Sequence, residues 1–356
     1  MKSPVSRYGF INAKLRARIS MILTEEFSSS LLRSASMEEV LQLLKETEFS
    51  PVSDAYDRTG DIQSAELELF QMQIGWYREI VKITEDVVQG FIRSMSLKLE
   101  IENLKNAIRL WYGSRIKKRP IGHRAGYLYR ERILNNIDWD GIINAVSFDE
   151  IITSLNTDIY TKAIEPFRTA METGDGLFKM EIALDRMYYD FLFSSAKELP
   201  SKDRALVERI LTTEIEIQNI NWLIRYSHFY SVTAPELEEI LIPRGMKISV
   251  EDIQSYLSQE TRQKDPAALL KGKFPALASL SIGDKGSAAS QAILFEQLLE
   301  ATRKEEFMKL ISGYPFTIGI VLVYFFMKNR ESRFLMSVLN GKYYGWKSER
   351  IREVTG

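Results

Sequence analysis

The sequence repeats itself with a step of about 115 residues, and this feature constrains the fold more than any other. The stretch EIENL begins at Glu100, and the similar stretch EIQNI begins at Glu216. An arginine follows nine positions after each glutamate, at Arg109 and Arg225. A degraded third copy, ESRFLMSVLN, begins at Glu331. Self-similarity at a fixed period indicates a chain built from repeated structural units.

An asparagine lies three positions after each of the first two glutamates, at Asn103 and Asn219. Asparagine has a low helix propensity, and a buried amide costs stability unless it is hydrogen-bonded. We therefore interpret the repeated Glu, Asn and Arg residues as structural positions, and expect Asn219 to bond a neighbouring backbone segment within its repeat. Asn221 is expected to be exposed, because its counterpart is Lys105. In the third copy, the asparagine and the arginine are replaced by Phe334 and Asn340.

A second landmark is a serine followed three positions later by an acidic residue and then by Val or Ile, at Ser36, Ser147 and Ser249. In such a capping box, the hydroxyl and the carboxylate bond free N–H groups of the first helical turn. One such pattern is common by chance, but three in the same order as the other landmarks predict three capped helices. A second helix in each copy is marked by Glu66, Glu181 and Glu296.

Proline marks the start of a long helix in the second and third copies, because Pro200 and Pro315 each precede the repeated glutamate by 16 residues. Proline is favoured in the first turn of a helix, where its missing N–H is not needed. Each long helix is predicted to run for about 25 residues, or roughly 40 Å. Thr84 holds the matching place in the first copy and is expected to cap the helix there.

These landmarks predict an all-α chain of three diverged repeats, each with a capped helix, a second helix and a long third helix. Alternating apolar and polar runs between turn residues, which are typical of strands, are almost absent. The predicted repeats are residues 1–118, 119–235 and 236–356. The third repeat contains 258–290, which is rich in Pro, Gly and Ser and is predicted to be a loop-rich insertion.

The segment 8–25 is interpreted as an extra copy of the end of a long helix. Asn12 precedes Arg18 by six positions, as in the repeated stretch, although a chance similarity is an equal alternative. No apolar core of a secretory signal is visible there. The longest apolar run, FTIGIVLVYFFM at 316–327, has 12 residues. This is short of the roughly 20 that span a bilayer, so we predict a buried core helix and no transmembrane segment.

Composition and motifs argue against catalysis. The chain has 47 basic and 48 acidic residues, so no nucleic-acid partner is predicted. It has no cysteine, which excludes disulfides and thiolate metal sites. The two histidines, His123 and His228, lack the partners of a metal site, and no glycine-rich phosphate loop is present. We therefore predict no catalytic group, cofactor, metal or small-molecule substrate.

The stretch 113–130 carries six lysine or arginine residues and no acidic one. Its Pro and Gly residues interrupt the helical pattern, so it is predicted to form the boundary between the first two repeats. Basic clusters can contact anionic lipid headgroups or an acidic partner. The candidate contact residues are Arg115, Lys117, Lys118 and Arg119. A solvated linker is the alternative interpretation, and the sequence favours it.

Several stretches together resemble the C subunit of the archaeal and bacterial V/A-type ATPase, whose eukaryotic relative is the d subunit. They are YGFINAKLRARISMIL, EIENLKNAIRLWYG, ALDRMYYDFL, EIEIQNINWLIRY and PFTIGIVLVYFFMKNRESRFLMSVLNGKYYGWKSERIREV. The resemblance runs over nearly the full chain and keeps the order of the motifs. The departures are 258–290 and LIPRGMKIS at 241–249, where a more glycine-rich turn is expected.

The resemblance implies a non-catalytic central-stalk component of a rotary ATPase. It implies an all-helical funnel of three similar domains around a pseudo-threefold axis, peripheral to the membrane on its cytoplasmic face. The implied partners are the D and F subunits of the central shaft and the membrane rotor ring (c/K/L subunits). The implied role is an adaptor that transmits torque during ATP-coupled proton or sodium transport. A generic α-helical scaffold for a soluble protein or peptide is the alternative, although helical solenoids have much shorter periods, roughly 34 to 47 residues.

Overall fold

The computed structural model describes residues 3–120, 126–174, 176–229, 240–243, 249–258 and 288–355. Every regular element in these ranges is a helix, so the prediction of an all-α chain is confirmed. The α-helices are α1 (Pro4–Ile19), α2 (Glu25–Arg33), α3 (Met37–Leu44), α4 (Ser50–Thr59), α5 (Ile62–Ile83), α6 (Asp86–Arg115), α7 (Trp139–Asn144), α8 (Phe148–Ser154), α9 (Asp158–Ile164), α10 (Arg168–Thr173), α11 (Leu177–Ala196), α12 (Ser201–Phe229), α13 (Val250–Ser258), α14 (Ala288–Ile311), α15 (Gly319–Tyr343) and α16 (Ser348–Thr355).

The chain forms two compact units. The first unit contains Met1–Asn12 and Pro200–Val323, and the second unit contains Ala13–Leu199 and Tyr324–Thr355. A compact unit and a sequence repeat are different properties, because a unit can hold parts of several repeats. The division into three repeats therefore stays a prediction.

The core of the second unit is built on α6, which packs against α7 and α11. Trp111 on α6 is 2% exposed, and its ring meets Phe148 of α8 edge to face, with centroids 6.2 Å apart. Its indole N–H donates to the carbonyl of Ala145 at 2.9 Å. An aromatic residue placed in this way buries a large apolar area and satisfies its one polar group. The capped helix α8 and the long helix α6 are thereby held together.

The apolar run at 316–327 leads into α15, and this part of the helix is buried, as the sequence predicts. Residues 320–326 of α15 are all buried, and in the second unit Phe325 stacks on Tyr77 of α5 with ring centroids 3.9 Å apart. Apolar burial of this extent is a main favourable term in folding. No helix in the described part of the chain is long and apolar enough to cross a membrane.

In the first unit, the start of α12 fixes two other segments. Asp203 in the first turn of α12 accepts hydrogen bonds from the hydroxyl of Tyr8, at 2.7 Å, and from the backbone N–H of Ile318, at 2.9 Å. The Asn12 amide donates to the carbonyl of Pro315 at 2.6 Å. The first turns of α1 therefore lie beside the segment that precedes α15. This segment belongs to the predicted third repeat.

The three capping boxes are confirmed. In each, the serine hydroxyl accepts the N–H of the acidic residue, at 3.3 Å for Ser36, 3.4 Å for Ser147 and 3.2 Å for Ser249. The carboxylate of each acidic residue accepts a backbone N–H in return, at 2.7 to 2.8 Å, from Ala35, Val146 and Ser249. These paired bonds start α3, α8 and α13 at the serines that the sequence indicates.

The prediction that Thr84 caps the first long helix is wrong. Its hydroxyl donates backwards to the carbonyls of Ile80, at 2.9 Å, and Val81, at 3.2 Å, so it closes α5. The residue before α6 is Glu85, whose side chain makes no capping bond. A threonine hydroxyl can bond the carbonyl four residues earlier as readily as a following N–H. Spacing alone does not distinguish these two uses.

The described parts of the first two predicted repeats contain more helices than the three expected in each. The short helices α4, α9 and α10, with a 3₁₀ turn at Glu165–Phe167, lie between the capped helix and the second helix. Most of the predicted insertion, 259–287, lies outside the described residues. Its last three residues, 288–290, belong to α14 and not to a loop.

Two glycine substitutions are expected to have opposite effects on stability. A Cβ at Gly341 of α15 would lie 2.5 Å from Cγ1 of Ile351 on α16, whereas a Cβ at Gly90 of α6 would meet nothing within 4 Å. We expect Gly90→Ala to raise the free energy of unfolding by about 0.5–1 kcal/mol, through helix propensity. Gly341→Ala should lower it, because α16 must shift. Urea unfolding of both variants measures the difference, and equal stability would contradict the close packing of α15 and α16.

Candidate functional site

The repeated glutamate of the first copy is a fully buried carboxylate with four hydrogen-bond donors. Glu100 accepts the backbone N–H groups of Leu134 and Asn135, both at 2.7 Å. Its other oxygen accepts the hydroxyl of Tyr160 at 2.7 Å and the side-chain amide of Asn135 at 2.5 Å. Burial and the charge of Glu100 raise the pKa of Tyr160 far above its ordinary value. A buried charge is tolerated when it is bonded in this way.

Glu331, in the third copy, also accepts a backbone N–H. It bonds Leu23, the residue before the cap of α2, at 2.8 Å. Its second oxygen accepts a hydrogen bond from Lys328 at 2.5 Å, and Lys328 also lies 2.7 Å from the carboxylate of Glu48. Burial is the main cause that raises the pKa of Glu331, and the nearby charge of Glu48 raises it further. Glu216 of the second copy is buried on α12.

Lys328, next to Glu331, is buried, and the sequence analysis did not predict this. Lys328 is 1% exposed, and its ammonium lies 4.2 Å from the ring centroid of Trp76 and 4.8 Å from that of Phe49. Two carboxylates and two aromatic rings therefore surround one cation. A lysine three residues before a repeated glutamate, inside an apolar helix, is the signal that could have indicated it.

The repeated asparagines make the same pair of bonds. The Asn103 amide donates to the carbonyl of Tyr129 at 2.8 Å and accepts its N–H at 3.2 Å. The Asn219 amide bonds both backbone groups of Ile242, each at 2.9 Å. With the boundaries predicted above, Tyr129 and Ile242 belong to the following repeat. Each amide thus holds the segment that opens the next repeat, whereas the sequence predicts a partner within the same one.

The expectation that Asn221 is exposed is wrong, as is its basis. Asn221 is half-buried, and its counterpart Lys105 is 4% exposed. The ammonium of Lys105 forms an ion pair with the carboxylate of Asp185 on α11. Because α11 packs against this face of α6, a charged residue there requires a partner, and α11 provides it.

The repeated arginine connects a long helix with the second helix of another copy. Arg109 on α6 makes a two-bonded contact with Glu181 on α11, at 2.6 and 2.7 Å. Asn340, which replaces the arginine in the third copy, donates to Glu66 on α5 at 2.8 Å. Both acceptors are the landmark glutamates of the second helices. The side chain of Arg225 lies outside the described residues.

Two of the candidate basic residues act within the chain. Arg115 donates to the carbonyls of Ala145, at 3.0 Å, and Asn144, at 3.2 Å, where it closes α7. Lys117 donates to the carbonyl of Gly174 at 3.3 Å. Cations at the carboxyl end of a helix complement its dipole. These contacts give both residues a structural role, whatever else they bind.

The other two basic candidates, Lys118 and Arg119, are exposed. His123 and the side chain of His228 lie outside the described residues. In the described ranges, no group of three or more His, Asp or Glu side chains is arranged to hold a metal ion. The clusters that the structure does bring together are the buried Glu, Asn and Lys positions on α6, α12 and α15, together with the exposed Arg109 on α6.

Comparison with known proteins matches residues 11–354 to the family of the ATP synthase (C/AC39) subunit. The C subunit of the A-type ATP synthase of Methanocaldococcus jannaschii is 21% identical over 359 residues, covering 98% of this chain and 86% of its own. That of Methanococcoides burtonii is 23% identical, covering 98% and 93%. That of Pyrococcus horikoshii is 22% identical, covering 98% and 90%. The similarity thus extends over nearly the whole chain.

Asn219→Ala is expected to lower the free energy of unfolding by about 1–3 kcal/mol, because both backbone groups of Ile242 lose their partner. Asn221→Ala is the matched control on the same helix and should change stability by less than about 0.5 kcal/mol. Denaturant unfolding of the two variants provides the comparison. Equal effects would show that the bonds to Ile242 contribute nothing specific.

Glu331→Gln tests the buried carboxylate through the pH dependence of stability. An acid whose pKa is raised by folding binds its proton more tightly in the folded state, so its contribution to stability falls as pH rises through that pKa. Glutamine does not ionise. The stability of the wild type relative to Glu331→Gln should therefore be greatest near pH 4 and decrease as pH rises above about 4.5. Unfolding curves over this range give the slope, and a constant or increasing difference would contradict the raised pKa.

Proposed function

The chain belongs to the family of the ATP synthase (C/AC39) subunit, and from this premise we propose that it joins the central shaft of a rotary V/A-type ATPase to the membrane rotor ring. The observation that carries the proposal is the family match over residues 11–354. The chain is a non-catalytic component of a rotary ATPase complex. Its adaptor role, and the identity of the subunits it touches, form the proposal.

The partners in this proposal are the D and F subunits of the shaft on one side and the ring of c/K/L subunits on the other. The chain then lies at the cytoplasmic face of the membrane as a peripheral component. The three repeats, 1–118, 119–235 and 236–356, form a funnel around a pseudo-threefold axis. Torque passes through the chain while ATP hydrolysis or synthesis is coupled to proton or sodium transport.

The internal bonds of the chain suit a part that transmits torque. The long helices α6, α12 and α15 hold other segments through buried side chains, and not through packing alone. Glu100, Asn103 and Asn219 bond backbone groups, and Arg109 bonds a carboxylate with two parallel hydrogen bonds. Directional hydrogen bonds resist relative sliding of the elements they join. An adaptor needs this stiffness, whereas a peptide-binding scaffold does not.

The proposal is tested in membranes from a strain whose only copy of this chain carries an affinity tag. After mild detergent extraction, the tagged chain should bring down the D and F subunits, the rotor ring and ATPase activity together. Deletion of the chain should leave ATP hydrolysis but abolish ATP-driven ion transport, because shaft and ring are no longer joined. Restoring the wild-type chain should restore transport.

Two results would overturn the adaptor role. One is an intact, ion-transporting complex that contains no copy of this chain. The other is a tagged chain that brings down ATPase activity and the shaft but never the ring, even after chemical cross-linking. A tagged chain bound only to a soluble protein, without ATPase activity, would favour the scaffold alternative.

A further inference from the structure

The turn that follows α6 contains a lysine with an unfavourable backbone conformation. Lys118 has a φ of 53°, in the left-handed region. After α4, α10 and α15, the left-handed residue is a glycine, at Gly60, Gly174 and Gly345. A side chain with a Cβ makes this conformation strained, and glycine avoids the strain. A lysine in this place therefore needs an explanation.

The residue type makes Lys118 stand out further. The other non-glycine residues with a positive φ in the described part of the chain are Asp86 and Asn156. Aspartate and asparagine adopt the left-handed region more readily than other residues, because their short polar side chains can bond locally. Lysine has no such advantage. Strain at a single position points to a use for its side chain.

Backbone hydrogen bonds fix the conformation of this turn. The N–H of Lys117 donates to the carbonyl of Tyr112 at 3.1 Å, and the N–H of Arg119 donates to that of Gly113 at 2.8 Å. The turn thus continues from the last residues of α6 with a defined shape. We call residues 115–119, which contain four basic residues and no acidic one, the basic turn.

The four cations of the basic turn fall into two pairs. Arg115 and Lys117 donate to backbone carbonyls after α7 and α10, at 3.0 and 3.3 Å, and so anchor the turn. Lys118 and Arg119 are exposed. Because the first pair anchors the turn, the second pair can bind a ligand with little further loss of backbone freedom.

The charge of the basic turn is not offset by the stretch of chain around it. No acidic residue lies between Glu102 and Glu131. Three basic residues of this stretch, Lys105, Arg109 and Arg130, form ion pairs with carboxylates of other segments. The exposed pair in the basic turn therefore adds to a stretch whose other described cations are already engaged.

An exposed apolar side chain lies next to the basic turn. Val146 is 68% exposed and follows Ala145, whose carbonyl accepts the hydrogen bond from Arg115. The acidic residues that follow in the chain, Asp149 and Glu150, are each bonded within the chain. Segments that bind a membrane surface combine cations for anionic headgroups with apolar side chains that enter the interface.

We propose that the basic turn, with Val146 beside it, binds anionic lipid headgroups of the membrane. The inference rests on the proposed function, which brings the chain to the membrane surface. An acidic segment of another subunit is the competing ligand. Lysine is depleted in protein interfaces, whereas its compact point charge on a flexible stem suits headgroup phosphates, which need no fixed geometry. Two of the four cations are lysines, so lipid is favoured.

The first experiment measures binding of the purified full chain to vesicles. We expect binding to equimolar phosphatidylcholine and phosphatidylglycerol, and at least about 10-fold weaker binding to phosphatidylcholine alone. Lys118→Gln/Arg119→Gln should weaken binding to the anionic vesicles about 10- to 30-fold, because both cations near the headgroups are lost. Arg93→Gln/Lys98→Gln, at two exposed positions of α6, is the control of equal net charge and should bind within about 2-fold of the wild type.

Two results of this experiment would overturn the proposal. One is equal binding of the wild type to the anionic and the neutral vesicles. The other is equal binding of the two double variants, which would show that the net charge of the chain, and not the basic turn, determines the attraction.

Lys118→Gly separates strain from binding. Glycine relieves the left-handed strain, so the urea midpoint of unfolding should rise. The loss of one cation should weaken binding to the anionic vesicles about 3- to 5-fold. A variant that is more stable and binds more weakly would support the proposal. Because this variant is expected to fold at least as well as the wild type, wild-type vesicle binding by it would overturn the proposal.

A fluorescent label tests the contact in the assembled complex. The chain has no cysteine, so Val146→Cys introduces its only thiol, which is labelled before the chain rejoins a complex stripped of it. In vesicles of brominated phosphatidylglycerol, the label should be quenched. A label at Thr153→Cys, an exposed position further along α8, should keep its emission. Equal emission at the two positions would overturn the proposal, as would a cross-link from position 146 to an acidic segment of another subunit.

The outcomes separate this inference from the proposed function. A chain that binds anionic vesicles through Lys118 and Arg119 but does not rejoin the stripped complex would contradict the proposed function and support the basic turn. A chain that rejoins the complex, with vesicle binding unaffected by Lys118→Gln/Arg119→Gln, would contradict only the basic turn.

Discussion

The structure depends on buried polar side chains of the long helices that hold the backbone of other segments. Glu100 and Glu331 each bind an N–H that precedes a helix, and Asn103 and Asn219 each bind both backbone groups of one residue. Such groups are costly to bury unless they are fully bonded. Each therefore permits only one position of the segment that it holds. The apolar cores around α6 and α15 then add most of the stability, but they specify less.

The sequence predicts most of what is local and periodic. The capping boxes, the all-α class and the buried apolar run follow from residue type and spacing, because these depend on neighbours within a few residues. The partners of Asn103 and Asn219 lie 26 and 23 residues further on, so the amides indicate that a bond exists but not where it ends. The position of Thr84 does not tell which helix it closes, because one hydroxyl can bond on either side.

In the candidate site, too, the sequence does not reveal which distant segments contact a given side chain. Lys105 is buried because α11 packs against it and provides Asp185 as its partner. Lys328 is buried because Glu48 and the ring of Trp76 lie next to its ammonium group. A lysine in a helix is normally expected to be exposed, and no spacing rule reports what packs against it. The family resemblance indicates the role of the chain, whereas the contacts that make it stiff are visible only in the three-dimensional structure.

The bonds described for Asn103 and Asn219, and two of the four described for Glu100, end on backbone groups, and this has a consequence for evolution. Every residue except proline offers the same N–H and C=O. The segments held by these side chains can therefore change almost all of their own residues without losing the connection. Only the residues on the long helices that make these bonds need to persist. We expect a family built in this way to diverge widely in sequence and to retain scattered single positions more than continuous motifs.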